Sequence, residues 1–217
     1  MKIKHTIIYS TIAAMVALSC ENQPKEQTQE TEQKTDTTIQ QPVTEKENYS
    51  FQKSLQFKNI SFDVTTKGEG SLRQLRIQPK GLEISNDSVG IEVDGSVTDA
   101  QIADLNADGF PELLIFTQSA GSGSYGNVIA FSVNAGKSMS QVTFSSASED
   151  AKFNKGYMGH DRFSINESKL MHEFPIYKES DPNASPTGGI RRIQYKLVNA
   201  EASRKLVVDK TEDIPSN

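Results

Sequence analysis

This chain of 217 residues has one cysteine, no tryptophan and three histidines. A lone cysteine excludes a disulfide within the chain, so no covalent staple holds the fold. So few Cys and His also leave little from which to build a zinc site or a Cys/His nucleophile. Without tryptophan, aromatic packing falls to the ten Phe and six Tyr. No apolar run reaches the ~20 residues that span a membrane as a helix, and no long stretch carries a helical stripe. No internal repeat is visible. Basic charge is in deficit too: 23 Lys and Arg stand against 28 Asp and Glu, a net charge of −5. A nucleic-acid partner calls for a basic face, so that class is excluded. Mild acidity suits a cationic protein partner, whose approach it would speed. It also suits mere solubility, and charge alone does not choose between the two.

The N-terminus has a short basic start, Lys2 and Lys4, then an apolar stretch over residues 7–18. A basic start followed by a short apolar core is the pattern of a secretory signal. Ala17-Leu18-Ser19-Cys20 resembles a bacterial lipobox. On that resemblance residues 1–19 are a lipoprotein signal peptide, and Cys20 is the acylated, palmitate-bearing first residue of the mature chain. Acyl chains hold a domain on a membrane without spanning it. Glu21 follows, and by the same resemblance a residue other than Asp there directs the protein to the outer membrane, with periplasmic and surface faces both open. Residues 21–50 are mostly Glu, Gln, Thr and Lys. Such a segment buries too little apolar surface to offset its ordering entropy. Together with Cys20 it reads as a disordered tether, with a reach of about 30 Å as a coil.

Residues 51–217 read as one β-rich domain. Phe57, Ile60, Phe62 and Val64 nearly alternate with polar neighbours. Leu75 and Ile77 alternate, as do Phe163 and Ile165, and then Ile193, Tyr195 and Leu197. Turn signals separate the runs: Lys67-Gly68-Glu69-Gly70, Pro79-Lys80-Gly81, Asp94-Gly95, Asn134-Ala135-Gly136 and Pro186-Thr187-Gly188-Gly189. Short strands at this spacing predict an all-β fold, an antiparallel β-sandwich or barrel. Residues 99–105 could form a helical turn, but β-branched flanks favour strand.

Three constellations could carry chemistry. In the first, Asp104, Asn106 and Asp108 alternate, Gly109 follows, and Glu112 comes three residues on. Oxygen ligands at this spacing, with glycine at the bend, suit calcium. The twelfth loop position of an EF-hand would be Ile115, which is no ligand, so the loop is closer to the short DxDxDG loops of β-rich proteins. The competing reading is a turn whose side chains cap their own backbone. In the second, His160 precedes Asp161 within Gly156-Tyr157-Met158-Gly159-His160-Asp161. No nucleophile pairs with them, and a tight turn is the expectation. His172 stands isolated and is assigned no role.

The third is Thr117-Gln118-Ser119-Ala120-Gly121-Ser122-Gly123-Ser124-Tyr125-Gly126, between strand-like segments at 112–116 and 128–133. It is small, polar and glycine-rich, with one aromatic near its tip. Glycine permits backbone angles that other residues avoid, so the segment can project as a narrow finger. An exposed Tyr on such a tip is a contact residue of the kind that anchors interfaces. A flexible hairpin loop without function is the alternative. Catalytic lookalikes fail on spacing. A nucleophile elbow needs Gly two before its Ser, and Ser124 has Ser122 there. Gly136-Lys137-Ser138 ends like a phosphate loop, but the required earlier Gly is Phe131. The chain therefore reads as a binding protein, not an enzyme.

Ser122-Gly123-Ser124-Tyr125 matches the S-G-x-Y signature of the bacterial periplasmic inhibitors of i-type (invertebrate) lysozyme. The segments around Asp108-Gly109-Phe110-Pro111-Glu112, Gly156 to Asp161 and Pro186 to Gly189 look similar to that family too, and the resemblance covers roughly residues 55–209. It implies a β-rich inhibitor that can form homodimers, with a loop that enters the lysozyme cleft. By carry-over, Ser122 and Tyr125 contact the catalytic region, with Gly123 and Ser124 completing the loop. The lipid anchor departs from a freely soluble inhibitor. The alternative is a calcium-stabilised β domain that binds glycan or another envelope protein without inhibiting anything.

Overall fold

In a computed structural model of the chain, the structure describes residues 48–201 and 203–216. Cys20, the signal peptide and most of the tether lie outside the described residues. The strands are β1 (Phe51–Phe57), β2 (Ile60–Lys67), β3 (Leu72–Lys80), β4 (Val89–Asp94), β5 (Ser96–Ala103) and β6 (Glu112–Gln118). They continue as β7 (Gly126–Asn134), β8 (Ser138–Phe144), β9 (Arg162–Asn166), β10 (Lys169–Pro175), β11 (Ile190–Asn199) and β12 (Arg204–Ile214). Among the described residues the only helical element is a 3-10 turn, Ala147–Glu149. Residues 99–105 fall mainly in β5, as strand.

Two sheets result. β1 to β4 form a four-stranded antiparallel meander, and the other eight strands form a second sheet in the order β5-β6-β7-β8-β12-β11-β10-β9. The larger sheet curls until its first and last strands meet. Ile165 on β9 donates its backbone N–H to Gln101 Oε1 on β5 (3.3 Å), and Phe163 on β9 stacks on Phe116 of β6 with ring centroids 6.1 Å apart. The result is close to a barrel, with a sheet packed on its outside, so the structure combines both architectures expected from the pattern. One pairing is not antiparallel: β8 and β12 run parallel, through Lys205 opposite Thr143 and Leu206 opposite Phe144.

The pleat explains the core. Successive strand side chains face opposite sides, so β2 buries Ile60, Phe62, Val64 and Thr66 while the intervening residues stay partly exposed. β6 differs, with every residue from Glu112 to Thr117 buried. Leu113 and Ile115 point into a core shared with the four-stranded sheet, beside Phe62, Leu75 and Ile77. Leu114 and Phe116 point into the barrel interior, beside Leu170, Phe174 and Tyr195. A strand covered on both faces reads as a continuous apolar run rather than an alternation. β6 is thus fixed from both sides, and the loops at its two ends inherit that rigidity.

Candidate functional site

The loop over residues 104–111 enters β6. Asp104 accepts the backbone N–H groups of Asp108 (3.0 Å) and Gly109 (2.8 Å). Asp108 accepts the N–H of Phe110 (2.9 Å), and the Asn106 amide donates to Asp108 (3.0 Å). Glu112 is fully buried, accepting the Leu105 N–H (2.8 Å) and the Ser132 hydroxyl (2.5 Å). Burial pushes its carboxyl above the usual range, because an uncompensated buried charge is costly. Arg204 supplies a cation: its guanidinium contacts Ser132, donates to the Val133 carbonyl (3.1 Å), and pairs with Asp108 at 2.9 Å. It also lies 3.8 Å from Glu112. The four sequence-selected residues are therefore brought together, with their oxygens engaged by backbone N–H groups, Ser132 and Arg204. Among the described residues, no group of three or more His, Cys, Asp or Glu is placed to hold a metal ion.

The loop over residues 119–125 leaves β6 and returns as β7. β6 and β7 pair down to Gln118 opposite Gly126. Beyond that pair the chain closes on itself: the Ser119 N–H donates to the Tyr125 carbonyl (2.8 Å), and the Tyr125 N–H to the Ser119 hydroxyl (3.0 Å). The Ser124 N–H donates to the Gly121 carbonyl (3.0 Å), forming the turn at the tip. This left-handed position, expected for glycine, belongs to Ser124, with φ of 44°. The glycines serve close approach instead. A Cβ on Gly123 would fall 2.4 Å from the Tyr125 ring, which folds back over the loop.

Ser122 is exposed, and its hydroxyl has no partner among the described residues. Tyr125 is 51% exposed, with one edge of its ring against Tyr157 at a centroid distance of 5.9 Å. The finger thus presents a free hydroxyl and half an aromatic ring, which is chemistry for a partner's polar groups and apolar surface.

A second loop, residues 156–161, backs the finger. The His160 N–H donates to the Gly123 carbonyl (2.6 Å). Gly159 lies so close that a Cβ there would sit 2.1 Å from that carbonyl oxygen. His160 itself adopts a left-handed turn, with φ of 60°, and its ring stacks on Tyr177 at the rim of a cavity of about 300 Å³. The expected tight turn is present, with His160 anchoring through its backbone.

The isolated standing of His172 requires correction. Its side chain is fully buried, and its Nε2 lies 2.5 Å from Asp161 Oδ1, whose side chain is also fully buried. The other oxygen of Asp161 accepts the Tyr157 hydroxyl (2.7 Å) and the Gly126 N–H (2.8 Å). Burial, and then donation to Asp161, pushes the Tyr157 phenol well above its ordinary value. His172 lies 3.5 Å from the hydroxyl of Tyr195, which accepts the Ala147 N–H and is pushed up to about 12 by burial. The sequence offered His160 only as a neighbour of Asp161 in a tight turn; the partner that the fold supplies is His172. One signal for this exists in the sequence. Leu170, His172 and Phe174 alternate on β10, and all three are buried, which places the imidazole inside the barrel, where it needs a polar partner.

Comparison with known families gives one finding. The family model described as PliI, periplasmic lysozyme inhibitor of I-type lysozyme, matches residues 84–153. That span contains β5 to β8, the Asp-rich loop and the whole finger. It stops short of residues 156–161 and of Pro186 to Gly189. Comparisons with curated proteins and with solved structures give no match.

Proposed function

We propose that this chain is an envelope inhibitor of lysozyme, of the i-type, that works by inserting the Ser122-Gly123-Ser124-Tyr125 finger into the enzyme's cleft. The observation that carries the reading is the coincidence of two facts. The span similar to the lysozyme-inhibitor family contains the finger, and the finger leaves Ser122 and Tyr125 uncommitted on a fixed strand pair. Lysozymes cleave with two carboxylates flanking the scissile bond. The hydroxyls of Ser122 and Tyr125 donate to those carboxylates, and hydrogen bonds to a charged group are the strong kind. The Tyr125 ring fills a sugar subsite. The inhibitor cleaves nothing. An acylated Cys20 and the 21–50 tether keep it at the outer membrane, where blocking the cleft protects peptidoglycan.

The test is a titration of the purified protein against i-, c- and g-type lysozymes. The expected outcome is stoichiometric loss of i-type activity. Undiminished activity of all three at excess protein would overturn the reading.

A further inference from the structure

Asp161 precedes β9 and lies in neither the finger nor the span similar to the inhibitor family. Its buried carboxylate makes three hydrogen bonds, and each ties down a different piece of chain. His172 Nε2, at 2.5 Å, comes from β10 inside the barrel. A carboxylate oxygen accepts, so Nε2 is the protonated nitrogen. The Tyr157 hydroxyl comes from the backing loop, and the Tyr157 ring lies edge-on between Phe174 (4.9 Å) and Tyr125 (5.9 Å). The Gly126 N–H comes from the residue directly after Tyr125. A Cβ on Gly126 would fall 2.8 Å from the Cβ of Asp161, so the carboxylate reaches that amide only because residue 126 has no side chain.

A buried carboxylate and imidazole are costly to desolvate, and apolar residues in their place would often be as stable or more so. Stability alone therefore gives a poor account of this pair, whereas fixing a loop base accounts for all three bonds at once. We propose that Asp161, held by His172, is the positioning residue of the finger. It fixes Gly126, and through Tyr157 it also sets the face against which the Tyr125 ring rests. This rests on the inhibitor reading given above. A finger ordered before binding loses less entropy on entering a cleft, and that gain appears as affinity.

The test uses the full chain with Asp161→Ala, Asp161→Asn and Tyr157→Phe. Three quantities are measured: amide hydrogen exchange at residues 119–126 in the free protein, inhibition of i-type lysozyme, and melting temperature. Asp161→Ala is expected to speed exchange at Gly126 at least about tenfold, since its protecting bond is gone. Inhibition per folded molecule should weaken about tenfold as the ordering cost returns. Asp161→Asn keeps an oxygen that can accept from both Gly126 and Tyr157, and its amide can donate to His172 Nε2 once the imidazole carries its proton on Nδ1, facing the Tyr195 hydroxyl, so it should restore inhibition to within about threefold of the wild type. Tyr157→Phe keeps the ring and removes one bond, and its effect should fall between these two.

A merely structural Asp161 would lower the melting temperature and leave exchange at Gly126 and inhibition per folded molecule at wild-type values. That result overturns the proposal. If Asp161→Ala does not fold, wild-type inhibition in Tyr157→Phe overturns it equally; Gly126 keeps its own bond to Asp161 there, so its exchange is not the readout in that variant. A wild type that inhibits no lysozyme would sink the inhibitor reading, while exchange at Gly126 would still decide whether Asp161 orders the loop.

Discussion

Two polar loops hang on β6, one entering at Glu112 and one leaving at Gln118, and they treat their hydrogen-bonding groups in opposite ways. In the Asp-rich loop, each selected side chain is turned back on the protein. Asp104 and Asp108 accept backbone N–H groups, Glu112 is buried against Leu105 and Ser132, and Arg204 supplies the counter-charge. In the finger, backbone groups bond within the loop and to the backing loop at His160, while the hydroxyl of Ser122 and much of Tyr125 face outward. Both loops are short, glycine-containing and set on the same rigid strand. The difference lies in where the side-chain polarity goes. A loop that completes its own hydrogen bonds stabilises the domain, and one that leaves them open is suited to a partner.

Single substitutions in either loop separate the two roles. The largest expected effect is on stability, from Arg204→Ala. Its side chain is 19% exposed and faces the fully buried Glu112. Removing one partner from a buried charged cluster leaves the other uncompensated, so the domain should lose about 3 kcal/mol, the low end for such pairs because Arg204 keeps some solvent contact. Urea unfolding measures this, and lysozyme inhibition per folded molecule should be unchanged. Altered inhibition at full stability would mean that the two loops do not divide their roles in this way.

A smaller effect is expected on the other side. Ser122→Ala removes a hydroxyl with no internal partner, so stability should hold. Affinity for lysozyme should fall by about 1.5 kcal/mol, the value for a hydrogen bond to a charged group. Isothermal titration of both forms checks it. The smallest effect concerns calcium. With Glu112 turned inward and Asp108 paired to Arg204, a calcium ion entering the Asp-rich loop would have to displace these partners. The melting temperature of the metal-free protein should therefore stay constant as calcium is added. A rise with concentration would show binding to the folded state, and would return the loop to the metal-site reading.

The fold was legible where strands alternate or where a glycine marks the turn. Ile60, Phe62 and Val64 and the run at 113–116 announced β2 and β6. The turns at Asp94-Gly95 and Asn134-Ala135-Gly136 carry positive φ at Gly95 and Gly136. Other turns were silent. β9 and β10 are joined through Glu167 and Ser168, and β1 and β2 through Lys58 and Asn59. Glu167, Ser168 and Lys58 adopt positive φ without being glycine. In these hairpins the strand pairing overrides local preference, so no glycine marks them. The curling of the large sheet was not legible either, because it depends on β5 meeting β9, some sixty residues away (Gln101 and Ile165 are separated by 64 positions).

The same division holds at the site. The finger stood out because its composition is local. The Asp161–His172 pair did not, because its members are 11 residues apart on different elements and meet only through the β9–β10 pairing, which sets Phe163 opposite His172. Even within the finger one expectation shifted: glycine was expected to supply the unusual backbone angles, and Ser124 supplies the one that occurs.

Tyr125→Ala distinguishes a contact loop from a piece of the fold. Inhibition constant and unfolding free energy are measured on the same preparation. For a contact loop, inhibition weakens by about 2 kcal/mol or more, the level of an interface anchor, or roughly thirtyfold in affinity, with unfolding unchanged. A variant that unfolds easily while its folded fraction inhibits like the wild type would contradict it, and would make Tyr125 a packing residue of the Tyr157 cluster.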